Sequence, residues 1–244
     1  RLNREGLTTI LRLELRDLLS PKVVIKKKLH LFEEEEIKDE PSSLQQLIDW
    51  DLELSANDVN STLTDFTDEN WAKALPNLLE DYQQLLRDTL DLLCELGKAN
   101  NDDDHSHWDL PSISPHCKNE RFYEWTSLIE LVRDAWIKLY EKDRFRAKNI
   151  AQAWFEKPYP SFKRLALFAA SQEDCILPEQ WVDWLCSDNS KWLWSLCTRR
   201  EVCRLFVLQG KKLTGKLHNK LESAIIAGPL NQDNREKRDR AVWL

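Results

Sequence analysis

Side chains that bind metal ions lie closest together in residues 98–120. This stretch holds three histidines, a cysteine and an aspartate run, namely His105, His107, His116, Cys117 and residues 102–104. Imidazole, thiolate and carboxylate groups are the usual zinc ligands. The spacing matches no standard zinc pattern, because structural zinc sites have paired, regularly spaced ligands, and the composition is typical of a loop. We therefore predict no metal and no cofactor, and a metal-dependent hydrolase using His105, His107 and His116 is the weakest of three hypotheses.

A second group is basic and lies near the carboxyl end. Seven cations, opposed only by Glu201, form a candidate partner-binding set that we name the basic stripe: Arg199, Arg200, Arg204, Lys211, Lys212, Lys216 and Lys220. Such a stripe along one or two helices attracts phosphates or acidic protein surfaces. The alternative is a solvated face that pairs with the acidic amino-terminal half. The sequence favours this alternative over nucleic-acid binding, since no aromatic residues alternate with the cations to stack on bases.

Other catalytic patterns are missing from the sequence. It contains no nucleophile elbow, Gly-rich phosphate loop, HExxH motif or catalytic carboxylate pair, and its five glycines stand alone. We therefore predict no catalytic residue. The chain has no methionine, so we expect a fragment, or a sequence from which modified methionines are missing. Any catalytic domain is expected elsewhere in a longer polypeptide.

Composition narrows the class of protein. The 244 residues are 42% hydrophobic and include eleven tryptophans, which allows a substantial core. The net charge is −7, yet residues 1–120 carry 13 basic and 26 acidic side chains, and the rest of the chain is net positive. Six cysteines without a CxxC pair indicate reduced thiols in a cytoplasmic protein. No signal peptide or membrane-spanning run is visible, so we expect no membrane partner.

The elements that must position these groups are mainly helices. Apolar residues at spacings of three and four predict helices in residues 1–19, 55–66, 71–96, 121–140, 143–155, 160–170, 181–186, 199–206 and 217–228. Pro76 is expected to break the first turn of its helix, and Gly97 to end that helix. The run Glu33–Glu36 is expected to be a solvated loop.

Two segments have the period of a strand instead. Residues 48–54 alternate strictly between apolar and acidic side chains, and residues 23–32 alternate between apolar and basic ones. We expect the two to pair, with the lysines opposite the carboxylates. The sequence thus predicts a mainly α protein, a HEAT-like α-solenoid array with a small β-hairpin near the amino end. We divide it into residues 1–66, an array over 67–230, and a polar extension over 231–244.

Three phrases of this sequence resemble the carboxyl-terminal helical-repeat region of large bacterial anti-phage defence proteins. They are residues 108–116 followed by 125–136, residues 160–170, and residues 193–229. In that family such arrays follow an amino-terminal effector, for instance a sirtuin-type NAD-cleaving domain or an NTPase module. The resemblance covers the chain from Trp71 onward. It implies that this region senses a phage component or mediates self-assembly, and that the enzyme lies elsewhere.

Three functional hypotheses follow from these observations. The leading one is a non-catalytic sensor or scaffold domain whose partner is a protein, either a phage component or a second copy. The second is an accessory domain that binds nucleic acid through the basic stripe. The third is the metal-dependent hydrolase of the histidine-rich loop.

Overall fold

The computed structural model describes residues 6–27, 48–54, 69–119 and 124–229. Within these ranges the protein has ten α-helices and one two-stranded antiparallel sheet, so the prediction of a mainly α protein with a small sheet is confirmed. Among the described helices, none combines the length and the apolarity that crossing a membrane would need.

The described chain begins with helix α1, Thr9–Leu19. The Thr8 hydroxyl caps its first turn by accepting the Leu11 N–H at 3.2 Å. Leu11 and Leu19 are buried, but their apolar neighbours Ile10 and Leu18 are exposed. The helix is buried along a narrow stripe only, and each exposed residue lies about 100° around the axis from its buried neighbour.

Two strands follow α1. Strand β1 spans Pro21–Lys27 and strand β2 spans Ile48–Leu54, and they pair antiparallel with Val23 opposite Leu52. The Lys26 Nζ lies 2.9 Å from an Asp51 carboxylate oxygen and 2.8 Å from one of Glu53. The predicted pairing of lysines with carboxylates is therefore confirmed.

Helix α2, Glu69–Glu95, is 27 residues long and runs through Pro76 without ending. The predicted break at Pro76 is wrong. Pro76 is buried in the core face beside Leu75 and Leu78, and the burial of α2 on both sides of it offsets the cost of an interior proline, which is about 3 kcal/mol. Gly97, at φ +71°, ends the helix as predicted, because it adopts the left-handed conformation of a Schellman motif.

The next elements form the centre of the core. They are the short helix α3, Ser106–Asp109, a 3₁₀ turn, Glu124–Thr126, and helices α4, Ser127–Lys142, α5, Arg144–Glu156, α6, Pro160–Ala170, and α7, Pro178–Cys186. Helix α4 packs against α2 and α5, and α5 packs against α6. All eleven residues of α6 are buried. Trp136 contacts Trp154 and Phe168 with ring centroids 5.9 and 6.2 Å apart, which joins α4, α5 and α6.

The carboxyl-terminal elements pack on this centre. They are a 3₁₀ turn, Asp188–Ser190, helix α8, Lys191–Trp194, helix α9, Arg199–Gln209, a 3₁₀ turn, Gly210–Lys212, and helix α10, Gly215–Ala227. Helix α9 packs against α6, and α10 packs against α7. The six cysteines are all free thiols.

Several predictions lie outside the described residues. They concern residues 1–5 of the first helix, residues 28–32 of the first strand, the run Glu33–Glu36, the helix over 55–66, residues 121–123 and the extension over 231–244.

Candidate functional site

The polar segment between α2 and α4, residues 98–119, is a loop as its composition predicts, interrupted by α3, but part of it is buried, and we name it the buried segment. Asp104, Ser106 and Asp109 are buried. One Asp104 carboxylate oxygen accepts the Ser161 N–H at 2.7 Å, and the other accepts the Ser106 N–H at 3.0 Å. Ser161 lies in the first turn of α6, where backbone N–H groups lack helical partners. Asp104 therefore caps a helix 57 residues further along the chain.

Arg164 of α6 holds the same segment from the interior. Its Nη1 donates to Ser106 Oγ at 3.0 Å, and its Nη2 donates to the Leu110 carbonyl at 2.5 Å. Its Nε lies 3.2 Å from an oxygen of Glu201, whose other oxygen accepts the Ile113 N–H at 2.8 Å. Glu201, the one acidic residue within the basic stripe of the sequence, is buried and does not oppose those cations at the surface. Arg164 requires a buried counter-charge, and Glu201 supplies it.

Arg133 of α4 holds the far end of the segment. Its Nη1 donates to the Ile113 carbonyl at 2.8 Å, and its Nε donates to Asp134 at 2.7 Å. The Thr126 hydroxyl donates to the Asp109 carboxylate at 2.6 Å. Because buried polar groups are costly unless they are paired, this network fixes the segment in one position.

One group of metal-ligand side chains lies where the segment meets the start of α9. Asp103, His107 and Cys197 each offer one ligand atom, and these atoms lie within 4.8 Å of one another. One Asp103 carboxylate oxygen is 3.5 Å from both Cys197 Sγ and His107 Nδ1. The Asp102 carbonyl oxygen is 3.4 Å from the same sulfur. We name Asp103, His107 and Cys197 the three-ligand cluster.

The protonation of the cluster follows from its burial. Burial, together with the charges of Asp103 and Asp104, raises the pKa of Cys197 to about 12, so the sulfur is a thiol. Burial also lowers the pKa of His107, against the opposing effect of Asp103, so its ring is neutral near pH 7. A neutral imidazole has a free lone pair with which to bind a metal ion.

The structure separates the three histidines of the sequence hypothesis. His107 belongs to the cluster, whereas His105 is mostly exposed and its Nδ1 faces the other Asp103 oxygen at 3.3 Å. His116 contacts Arg200 instead, with 2.5 Å between its Nε2 and the guanidinium. Cys117 is exposed. Sequence reasoning missed Cys197 as a ligand, because it lies 94 residues from Asp103 and no local spacing pattern joins them.

The basic stripe is divided between paired and unpaired cations. Lys220 Nζ lies 2.6 Å from Asp183, and Lys212 Nζ lies 3.6 Å from Asp174. These partners belong to the carboxyl-terminal half, whereas the sequence alternative expected the acidic amino-terminal half. Arg204, Lys211 and Lys216 are exposed, and no carboxylate of the described ranges is within ion-pair distance of them.

Two of these unpaired cations flank an exposed apolar pair on α9. Val202, Leu205 and Gln209 face the core. On the opposite side Val207 is 76% exposed and Leu208 is 46% exposed. Arg204, Val207 and Leu208 have the spacing i, i+3, i+4, which places them on one side of α9, and Lys211 follows in the 3₁₀ turn that comes directly after the helix. We name these four residues the α9 outer face.

A cleft of about 370 Å³ lies between β2, the end of α2 and the buried segment. Its lining includes Asp51, Lys98, Asp104 and His105. The Lys98 ammonium is 3.4 Å from the Asp51 carboxylate, and Asp104 is occupied as the cap of α6. Asp51, Lys98 and Asp104 therefore hold neighbouring elements of the fold together. The described lining of the cleft contains no nucleophilic side chain paired with a base.

No protein-family model, no curated protein and no solved structure matches the chain.

Proposed function

We propose that this chain is a protein-interaction domain whose α9 outer face binds an acidic, amphipathic helical segment of a partner protein. The observation that carries this proposal is the pair Val207 and Leu208, exposed on a helix that is otherwise anchored in the core. Arg204 and Lys211 flank the pair and have no ion pair among the described residues.

The spacing of the face defines the chemistry of its occupant. Arg204 and Lys211 are seven residues apart, five of them along α9 and two in the 3₁₀ turn, which corresponds to a rise of about 11–12 Å. A matching helix presents two carboxylates at that separation with apolar side chains between them. The apolar contact contributes most of the affinity. The charges orient the partner helix and increase its rate of association.

The packing of the helices supports a repeat array as part of the same proposal. Helices α4, α5 and α6 pack against one another in chain order, as helices of an α-solenoid do. The resemblance to anti-phage defence proteins suggests a phage protein as the partner and the bacterial cytoplasm as the location. This element of the proposal rests on the resemblance alone.

A synthetic helical peptide tests the face directly. The peptide carries two glutamates seven residues apart with two leucines between them, and a control peptide has lysines in place of the glutamates. Fluorescence anisotropy measures the binding of each. We expect the acidic peptide to bind, and Arg204→Glu with Lys211→Glu to weaken binding by about tenfold or more. Lys22→Glu reverses the charge of an exposed lysine on β1 and is the matched control.

Truncation of the apolar pair separates a protein partner from a nucleic acid. Val207→Ser with Leu208→Ser removes apolar area but no charge, so peptide binding falls, by about fivefold per residue. Equal binding of the two peptides, or binding that ignores this truncation, would overturn the proposal. Tight, salt-dependent binding of a random-sequence DNA that depends on Arg204 would replace it with the nucleic-acid hypothesis. A dimer in sedimentation that dissociates on Arg204→Glu would make the occupant a second copy.

A further inference from the structure

We propose that Asp103, His107 and Cys197 form a binding site for a divalent transition-metal ion of the zinc type. The site is independent of the proposed partner binding and involves no hydrolytic reaction. It combines the carboxylate of Asp103, the imidazole of His107 and the sulfur of Cys197, the three ligand types that zinc accepts in proteins. Cys197 binds as a thiolate, so its thiol proton is released to solvent when the ion binds.

Two distances within the cluster match those around a tetrahedral ion. Zinc bonds of about 2.3 Å to sulfur and about 2.0–2.2 Å to nitrogen or oxygen place neighbouring ligand atoms about 3.4–3.6 Å apart. The Asp103 oxygen is 3.5 Å from Cys197 Sγ and 3.5 Å from His107 Nδ1. These two distances match the edges of a coordination tetrahedron, and the third pair of atoms, Cys197 Sγ and His107 Nδ1, lies within 4.8 Å. The Asp102 carbonyl oxygen is 3.4 Å from the sulfur and is the nearest backbone candidate for a fourth ligand.

The hydrogen bonding of His107 is a second, independent observation. Its Nδ1 is buried and has no hydrogen-bond partner among the described residues, because the nearby Asp103 oxygen lies outside bonding geometry. A buried ring nitrogen without a partner is costly, and a bound ion relieves this cost.

The surroundings hold the three ligands in place without an ion. Asp103 accepts the His105 N–H at 2.7 Å, and His107 lies on α3, which Arg164 and Asp104 fix to α6. Cys197 lies two residues before the start of α9, and its N–H donates to Ser195 Oγ at 3.2 Å. Fixed ligands lower the ordering cost of metal binding. An ion here would join the buried segment to the start of α9.

Zinc binding by the whole chain is the first test. The protein is stripped with a chelator, reloaded with ZnCl₂, passed over a desalting column and measured by elemental analysis. We expect one zinc per chain, and a melting temperature raised by about 5–10 °C at free zinc 100-fold above its dissociation constant. Failure of the unaltered protein to retain zinc would overturn the proposal.

Four variants assign the ligands. Cys197→Ser and His107→Ala are expected to weaken zinc binding by about 100-fold, measured by competition with a chromophoric chelator. The matched controls are Cys203→Ser, an exposed cysteine of α9, and His218→Ala, an exposed histidine of α10 whose ring faces Glu222. Both controls should bind zinc as the unaltered protein does. A loss in either control as large as in its matched variant would contradict the assignment.

Cobalt binding tests the site in the unaltered protein, so the result does not depend on whether a variant folds. Co²⁺ bound to the unaltered chain through a cysteine sulfur produces a thiolate charge-transfer band in the near ultraviolet. Reloading with CoCl₂ should produce this band, and added zinc should abolish it. Cobalt that binds without the band would exclude Cys197 as a ligand and overturn the proposed site.

Discussion

Arg164 and Glu201 form an ion pair in the interior, with 3.2 Å between Nε and Oε2 and side-chain exposures of 0% and 2%. The arginine belongs to α6 and the glutamate to α9, and both also bind the backbone of the buried segment at Leu110 and Ile113. Removing two charges from water is expensive, so such a pair contributes mainly by fixing one arrangement of its neighbours. Here it fixes α9, and thereby the direction of the α9 outer face.

Breaking this pair should destabilise the fold strongly. Glu201→Gln keeps the shape of the side chain but leaves the Arg164 charge uncompensated, at a cost of about 3–5 kcal/mol in the free energy of unfolding. Urea denaturation followed by circular dichroism measures it. The double variant Arg164→Met with Glu201→Gln serves as the control, because it removes the uncompensated charge and should lose less than the two single changes together. A change below about 1 kcal/mol for Glu201→Gln would show that the pair is solvated.

Removing the cap that Asp104 provides should lower the free energy of unfolding by less than breaking the Arg164–Glu201 pair does. Asp104→Ala removes the acceptor of the Ser161 N–H and leaves a buried donor unpaired, so we expect a loss of about 1–3 kcal/mol. Asp17→Ala, at an exposed aspartate of α1, is the matched control and should change stability by less than about 0.5 kcal/mol. Equal effects of the two variants in thermal unfolding would show that Asp104 does not cap α6.

Local sequence signals predicted most of the described elements. Strand β2 was predicted at its observed bounds, because strict alternation has no helical counterpart. Helix α6 likewise begins at Pro160, a residue favoured in the first helical turn. Pro76 misled the prediction because propensity is local, whereas the burial of α2 on both sides of Pro76 depends on the whole fold.

The candidate sites were less accessible to sequence reasoning, since each depends on long-range contacts. Asp104 lies in a stretch with the composition of a loop, and Glu201 lies in a helix whose charges are typical of a surface helix. Their partners, Ser161 and Arg164, nevertheless place both residues in the interior. The three-ligand cluster depends on Cys197, which no spacing rule connects with Asp103. The basic stripe was visible in the sequence, but its division into paired and unpaired cations was not.

Acid should weaken the attachment of the sheet through Asp51. Burial raises the pKa of this carboxyl, but hydrogen bonds from Lys26 and from the Leu52 N–H, with the charge of Lys98, outweigh burial and hold the pKa below its usual range. A lowered folded-state pKa stabilises the fold above the unfolded-state pKa of about 3.9, and this contribution is lost as the pH falls through the folded-state value.

Asp51→Asn tests this dependence. Its stability deficit relative to the unaltered protein should be largest above about pH 5 and shrink as the pH falls below about 4. Denaturation curves across this range measure it. The side chain is 35% exposed, so high salt should reduce the deficit by screening Lys26 and Lys98. A deficit that grows toward low pH would contradict the sign of the pKa shift.

Two leucines of α9 test which side of the helix faces the core. Leu205 is fully buried against α6, whereas Leu208, three residues later, is 46% exposed on the α9 outer face. Leu205→Ala leaves a cavity in the core and should cost about 2–5 kcal/mol in the free energy of unfolding. Leu208→Ala removes the same atoms from a solvated position and should cost less than about 1 kcal/mol.

The same two variants separate stability from binding. Leu208→Ala should keep the melting temperature of the unaltered protein but bind the acidic peptide more weakly, because Leu208 belongs to the apolar centre of the face. Leu205→Ala should lower the melting temperature and, at a temperature where it is still folded, bind the peptide as the unaltered protein does. The reverse pattern would mean that α9 presents its other side to solvent, and it would contradict the proposed binding by the α9 outer face.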